Sequence, residues 1–320
     1  MVAATLNKAQ LGNTGLDITR VGFGAWAIGG GGWEFGWGPQ EDEKSVAAIH
    51  HALEHGVNWI DTAAAYGFGR SEQVVGRALE GMPERPYVFT KCSLLEGPGR
   101  RVVHSLKRDS ILREADASLK RLGVDAIDLY QIHWPNPEED IEEGWGALAE
   151  LKEQGLVRHI GVSNFEVQHM RRIQQIAQIE TLQPPYNLIE RDVERELLPF
   201  AENEGIGVIV YSPMGSGLLT GRMTRERIAG LPDDDWRKHD SRFNEPQLSQ
   251  NLELVERLKA VADRHGTVPG AVAIAWALRN PAVDGAIVGF RSPEQVDPLL
   301  PAAGLELSDE DLDQIEGRAP

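Results

Sequence analysis

The strongest constraint on the fold is an alternation of short apolar runs with longer stretches of helical periodicity. Eight apolar runs read as strands, at 20–24, 57–61, 87–91, 127–133, 157–163, 181–183, 206–211 and 286–289. Between them, residues 42–55, 110–122, 141–154, 166–176 and 193–204 repeat apolar side chains at helical spacing. Several of these end near a glycine (Gly56, Gly123, Gly155, Gly205), which can close a helix in the left-handed conformation without steric cost. Parallel strands need helical crossovers, and right-handed crossovers repeated around a sheet close it into a (β/α)8 TIM barrel. An open doubly wound sheet is the alternative. With no linker to mark a boundary, residues 1–320 read as one barrel domain. Turn signals at Gly12-Asn13 and Thr14-Gly15 predict an N-terminal hairpin over 5–20.

Two insertions interrupt the rhythm, and both follow the carboxyl end of a strand, the face on which barrel enzymes carry their sites. Residues 27–40 hold four consecutive glycines, Gly29 to Gly32, with Trp33, Phe35 and Trp37. Residues 214–246 are highly charged and lead into helical patterns at 248–265 and 269–279, with a last one at 308–315. The strand ends themselves are polar: Asp61, Lys91, His133, Ser163 with Asn164, Gln183, Tyr211 with Ser212, and Arg291 just beyond the last. Any one of these has an ordinary structural explanation. In a barrel they converge on one mouth, with Trp26, Trp33 and Trp134 as a hydrophobic wall.

The run Val57 to Gly67, VNWIDTAAAYG, adds Tyr66 to that mouth. Reduction of a carbonyl needs a hydride and an acid to protonate the oxygen. A tyrosine, of pKa about 10, becomes a usable acid when a neighbouring ammonium favours its anion. Lys91 supplies that charge, Asp61 keeps the lysine ionised, and His133 hydrogen-bonds the substrate oxygen. No side chain carries a hydride, so a nicotinamide is implied. The small residues Ala63 to Ala65 are expected to let substrate and nicotinamide approach Tyr66.

Other chemistries fit less well. Gly22-Phe-Gly24-Ala-Trp-Ala27 matches a dinucleotide fingerprint, but a Gly/Trp-rich loop follows where that motif requires a helix. Gly215 to Gly221 lacks the Lys-Ser/Thr of a phosphate loop, although its backbone suits a pyrophosphate. No His, Asp and Glu set has metal-ligand spacing, so no metal is expected. A net charge of −17 disfavours nucleic acid and anionic membranes as partners. A single cysteine, Cys92, expected to be buried and inert, excludes an internal disulfide. With no apolar leader and no apolar window of about 18 residues, the expectation is a cytoplasmic protein.

Over almost its whole length the chain resembles the aldo-keto reductase family. The segments that carry the resemblance are LGNTGLDITRVGFG, GVNWIDTAAAYGFGRSE, FTKC, LKRLGVDAIDLYQIHWP, LKEQGLVRHIGVSNF, QPPYN, VYSPMGSGLLTG and VGFRSPEQV. IHWP and QPPYN are similar to the bacterial branch that includes general stress reductases. The resemblance implies reduction of aldehydes or ketones, with Tyr66 as general acid in a tetrad with Asp61, Lys91 and His133. It implies that Ser163, Asn164 and Gln183 hold the carboxamide, that Tyr211 stacks on the nicotinamide, and that Ser212, Gly215 and Leu218 follow the pyrophosphate. Gly289, Arg291, Ser292 and Gln295 would hold the adenosine end, where Arg291 suits a 2′-phosphate and favours NADP(H) over NAD(H). Pro298-Leu299 stands where many relatives have Glu-Asn. The partner is then a small carbonyl compound and the expected assembly a monomer. A nicotinamide-binding redox sensor with little turnover, or a cofactor-free barrel hydrolase or isomerase, are the competing readings.

Overall fold

The computed structural model describes residues 6–233 and 235–318. Thr5, where the expected hairpin begins, and the two ends of the 1–320 span lie outside the described residues. The hairpin pairs β1 (Lys8–Gln10) with β2 (Asp17–Thr19). Eight parallel strands then close a barrel, as the alternation predicts. They are β3 (Val21–Gly24), β4 (Trp59–Asp61), β5 (Tyr87–Cys92), β8 (Ile127–Ile132), β9 (Val157–Ser163), β10 (Thr181–Gln183), β11 (Gly207–Val210) and β12 (Gly285–Gly289). β12 closes on β3 with Val288 opposite Phe23.

Side chains alternate across each strand, and that alternation builds the site. On β5, Val88 and Cys92 point out into the main core under the helices, whereas Phe89 joins an inner cluster with Trp59, Leu129, Ile209 and Ile287. The hairpin residues Leu11, Leu16 and Ile18 complete that inner cluster, so the amino-terminal end of the barrel is plugged with apolar side chains. Trp59 fills the centre and donates its indole N–H to the Thr19 carbonyl at 2.7 Å. Gly22 makes room for it: a Cβ there would sit 2.1 Å from the indole. Two residues further along β4, β5, β10 and β11 the inward positions become Asp61, Lys91, Gln183 and Tyr211.

The crossover helices are α1 (Asp42–Glu54), α2 (Arg70–Leu79), α3 (Arg108–Leu122), α4 (Ile141–Glu153), α5 (Val167–Ile173), α6 (Leu197–Glu204) and α9 (Pro269–Leu278). α3 and α6 end at Gly123 and Gly205 in the left-handed conformation, as the glycine spacing predicts. α6 starts four residues later than expected, at Leu197 rather than Val193, because residues 192–194 form a separate 3-10 turn. Three elements belong to the long insertion and the end of the chain: α7 (Arg225–Ala229), α8 (Gln247–Arg264) and α10 (Asp309–Glu316). A second hairpin, β6 (Leu94–Glu96) with β7 (Val102–His104), stands on the carboxyl face directly after β5. No helix among the described residues is long and apolar enough to cross a membrane.

Candidate active site

The carboxyl face opens into a cavity of about 1060 Å³. Asp61, Tyr66 and His133 line it, with Ser163, Asn164, Gln183, Tyr211, Ser212, Gly289, Arg291 and Gln295. Trp26, Trp33 and Trp134 line it as well, as expected of a hydrophobic wall. Gly215, Leu218 and Ser292 do not; Leu218 is fully buried in a satellite core with Phe243 and Ile228, and it is Ser216 and Gly217 that face the space. Of the three alanines only Ala65 reaches the cavity, while Ala63 is buried against Trp33 and Tyr66, where its small size serves packing.

At the floor, Lys91 is fully enclosed and uses its three donors: to Asp61 Oδ1 at 2.6 Å, the Thr62 carbonyl at 2.9 Å and the Tyr66 hydroxyl oxygen at 3.3 Å. Asp61 Oδ2 accepts from the Gln183 side-chain amide at 2.9 Å. Burial pushes Asp61 up and Lys91 down, each toward its neutral form, and their mutual attraction opposes both shifts. With every polar atom of the pair occupied, the ionised form is the one the geometry supports. Tyr66 accepts from Lys91 and donates to no group among the described residues, so its proton is free for a ligand. Its ring packs edge-on to His133, with centroids 5.7 Å apart. Burial and the Lys91 charge hold His133 well below the usual histidine range, hence neutral, and its Nδ1 has no partner among the described residues.

One expectation is corrected here. The ammonium of Lys91 was expected to bring the Tyr66 phenol down toward neutrality, yet the phenol lies well above its ordinary value. Burial dominates, and the carboxylate of Asp61 and the neighbouring Tyr211 add to it. At 2.6 Å from Lys91, Asp61 cancels most of the field that the lysine would exert on the phenol. Tyr66 is therefore a firmly protonated donor.

A chain of hydrogen bonds carries the order around the mouth. Tyr211 donates to Asn164 Oδ1 at 2.8 Å, Asn164 donates to the His133 carbonyl at 2.9 Å and to Ser163 Oγ at 3.1 Å, and Ser163 donates to the Gln183 carbonyl at 2.8 Å. Asn164 and Ser212 take left-handed backbone, φ 61° and 53°, which turns the chain sharply at the ends of β9 and β11.

Over the other half of the cavity the two insertions fold together into a cover. Trp236 stacks on Trp26, centroids 5.6 Å apart and planes 12° from parallel, and meets Trp37 edge-on at 5.8 Å. Arg237 pairs with Asp235 at 2.7 Å and lies over the Trp37 ring at 4.5 Å. Sequence reasoning missed the basic lining that this insertion brings: Arg222, Arg227, Arg237 and Arg242. Arg222 and Arg227 have no ion-pair partner among the described residues. The arginine-rich run from Arg222 to Arg242 was the available signal. Arg291 donates to Gln40 Oε1 at 2.8 Å and to the Pro39 carbonyl at 2.6 Å, which aims its guanidinium along the cavity wall. Ser216 and Gly217 are left-handed, φ 55° and 94°, and a Cβ on Gly217 would approach nothing but Arg237, at 3.9 Å. Such a bare stretch of backbone among arginines suits a diphosphate, and a large, mostly apolar cavity that holds neutral His133 and protonated Tyr66 suits a dinucleotide with a small carbonyl compound.

Known proteins share this architecture. Residues 20–319 match the family described as "Aldo/keto reductase family". Aldo-keto reductase YhdN of Bacillus subtilis (strain 168) is 39% identical over 313 residues, covering 97% of this chain and 92% of the relative. The NADH-specific methylglyoxal reductase of Escherichia coli (strain K12) is 35% identical over 320 residues and covers 96% of each. Among solved structures, glycerol dehydrogenase AKR11B4 from Gluconobacter oxydans superposes with a TM-score of 0.87 at 36% identity, covering 99% of this chain and 95% of that one. Aldo-keto reductase AKR11C1 from Bacillus halodurans, in its holo form, gives 0.80 at 26% identity, covering 98% and 97%.

Proposed function

The chain belongs to the aldo/keto reductase family, a family of nicotinamide-dependent carbonyl reductases, and from that premise we propose that it reduces small aldehydes or ketones with NADPH, Tyr66 giving the proton. The observation that carries this reading is the hydrogen-bond inventory of Tyr66. Its oxygen is held by Lys91 at 3.3 Å at the floor of a cavity, while its own hydrogen has no acceptor among the described residues.

Ser163, Asn164, Gln183 and Tyr211 would hold the nicotinamide, which would supply the hydride. Neutral His133 orients the substrate by hydrogen-bonding its carbonyl oxygen. Tyr66 transfers its proton to that oxygen as negative charge builds there, and the Lys91 N–H, already directed at the phenol oxygen at 3.3 Å, remains the hydrogen-bond donor to the phenolate. Asp61 keeps Lys91 charged and aimed. The high affinity of Tyr66 for its proton keeps it loaded across the physiological range, so the proton moves only when a nascent alkoxide asks for it.

Arg291 supports the choice of NADPH, since a guanidinium is the donor best matched to a 2′-phosphate. One relative, from Escherichia coli, is NADH-specific. The test of the acid is Tyr66→Phe, which removes one hydroxyl and keeps the ring. Turnover of a generic aldehyde is expected to fall by roughly 10²–10⁴, while NADPH binding, followed by fluorescence, stays within a factor of about two of wild type. Retained turnover would sink the assignment.

A further inference from the structure

Behind the proton-transfer side chains lies a buried carboxylate that no step above uses. Glu114, on the inner face of α3, is 7% exposed. Its Oε2 accepts from the Ser93 backbone N–H at 3.0 Å and its Oε1 from the Ser110 hydroxyl at 3.2 Å. Ser93 is a junction. It follows Lys91 and Cys92 at the end of β5, and its carbonyl accepts from the Ser105 N–H at 3.0 Å, closing the β6–β7 hairpin. Its hydroxyl sits 3.4 Å from the Trp134 N–H and 3.5 Å from the Trp134 carbonyl, and one residue earlier the Cys92 carbonyl accepts from the His133 N–H at 3.2 Å. Three pieces of the substrate wall meet there: the Lys91 strand, the His133-Trp134 turn, and the hairpin that carries Leu94, Val102 and His104 into the cavity. Ser93 holds this position with φ at +80°, a conformation that a serine keeps only when its surroundings impose it.

We propose that Glu114 is a positioning residue for carbonyl reduction: through the Ser93 N–H it holds β5, His133 and the β6–β7 hairpin in register around the substrate, more tightly as carboxylate than as acid. The proposal rests on the catalytic reading of Tyr66 and His133 above. Its physical basis is that an N–H bond to a carboxylate is about twice as strong as one to a neutral acceptor. The change of form falls within the working range. Burial raises the Glu114 carboxyl to about 7; its bonds from Ser110 and Ser93 and the Arg121 guanidinium oppose the rise, and the Glu72 carboxylate adds to it. The remaining titratable neighbours, the Cys92 thiol and the Tyr130 phenol, are held protonated by burial. On protonation, the Ser110 hydroxyl can turn to accept the acid's hydrogen, leaving Ser93 with an uncharged acceptor.

Glu114→Gln imitates the protonated form at every pH, offering an uncharged oxygen to Ser93 and a donor to Ser110. With the NADPH-loaded enzyme and 4-nitrobenzaldehyde as probe, wild type and Glu114→Gln should have equal kcat/KM at pH 6. By pH 8.5 wild type should be ahead by roughly fivefold. NADPH affinity, read by fluorescence, should be the same for both, because neither Glu114 nor Ser93 lines the cavity. Amide exchange of residues 92–94 should slow in wild type between pH 6 and 8.5, after correction for intrinsic rates, and show no such change in Glu114→Gln. A pH-independent ratio of the two enzymes, or NADPH affinity falling together with kcat/KM, would overturn the proposal. Exchange needs no turnover, so it tests the Glu114–Ser93 tie even if Tyr66→Phe proves active and the catalytic reading fails.

Discussion

Lys91 and Arg237 are both cations held by an aspartate at the edge of one cavity, and their surroundings differ in kind. Lys91 meets Asp61 at 2.6 Å across two neighbouring barrel strands, 30 residues apart in the chain. Arg237 meets Asp235 at 2.7 Å within a single turn, two residues away. The first pair exists because strand register brings two inward positions together, and it cannot move without the barrel. The second is assembled locally and depends on aromatic packing against Trp26 and Trp37 to reach the cavity. A floor made of strand ends can hold a proton donor to tenths of an ångström, whereas a cover made of two insertions can shape itself to a cofactor and vary its contacts.

The contrast breaks most sharply at Lys91. Replacing it with methionine leaves Asp61 buried without its counter-charge, at a cost of about 3–5 kcal/mol in stability. Carbonyl reduction should fall at least as far as in Tyr66→Phe; chemical denaturation and NADPH oxidation measure the two effects. Beneath the cover, where Arg291 is held by Pro39 and Gln40, Arg291→Ala should weaken NADPH by roughly 10- to 100-fold, the worth of hydrogen bonds to a charged group, and NADH by much less. Equal losses in titrations with both cofactors would remove the 2′-phosphate assignment.

The floor also has a pH signature. Glu114 carries a folded-state pKa raised to about 7 from an ordinary 4.5. A raised carboxyl stabilises the fold most below the ordinary value, and that contribution is lost as pH rises through about 7. Glu114→Gln should therefore gain on wild type by about 3 kcal/mol between pH 4.5 and 8.5, as read from denaturation midpoints at the two pH values. The smallest effect is expected in the cover, where Trp236→Ala removes one stacked aromatic partner. It should cost about 1 kcal/mol of packing, speed proteolysis within 222–246, and leave the pH dependence of turnover unchanged.

How much of this was legible in the chain follows from the same contrast. The period of two along β4, β5, β8, β9, β10 and β11 places Asp61, Lys91, His133, Ser163, Gln183 and Tyr211 on the inner face, and the helix stops follow from glycine positions. Short β10 was readable despite Pro184-Pro185 because its neighbours, β9 and β11, were clear. The β6–β7 hairpin was not anticipated, although Gly97-Pro98-Gly99 between Leu94-Leu95 and Val102-Val103 is a turn signal between two apolar pairs. Nor was α2, whose pattern is interrupted by Gly76; that residue is forced by close packing, as a Cβ there would lie 2.3 Å from the Arg121 carbonyl.

By itself the sequence determined the barrel, its strand order around the mouth and the residue types that meet there, because side-chain periodicity and crossover handedness are local rules repeated eight times. Tertiary structure alone decided the rest. It set the direction of the Tyr66 shift, since the field at the phenol depends on how far Asp61 neutralises Lys91 and on burial from all sides. It joined Trp236 to Trp26, and Glu114 to Ser93, since neither pairing follows from spacing. Distances between groups far apart in the chain are settled by packing, and electrostatic energies depend on those distances.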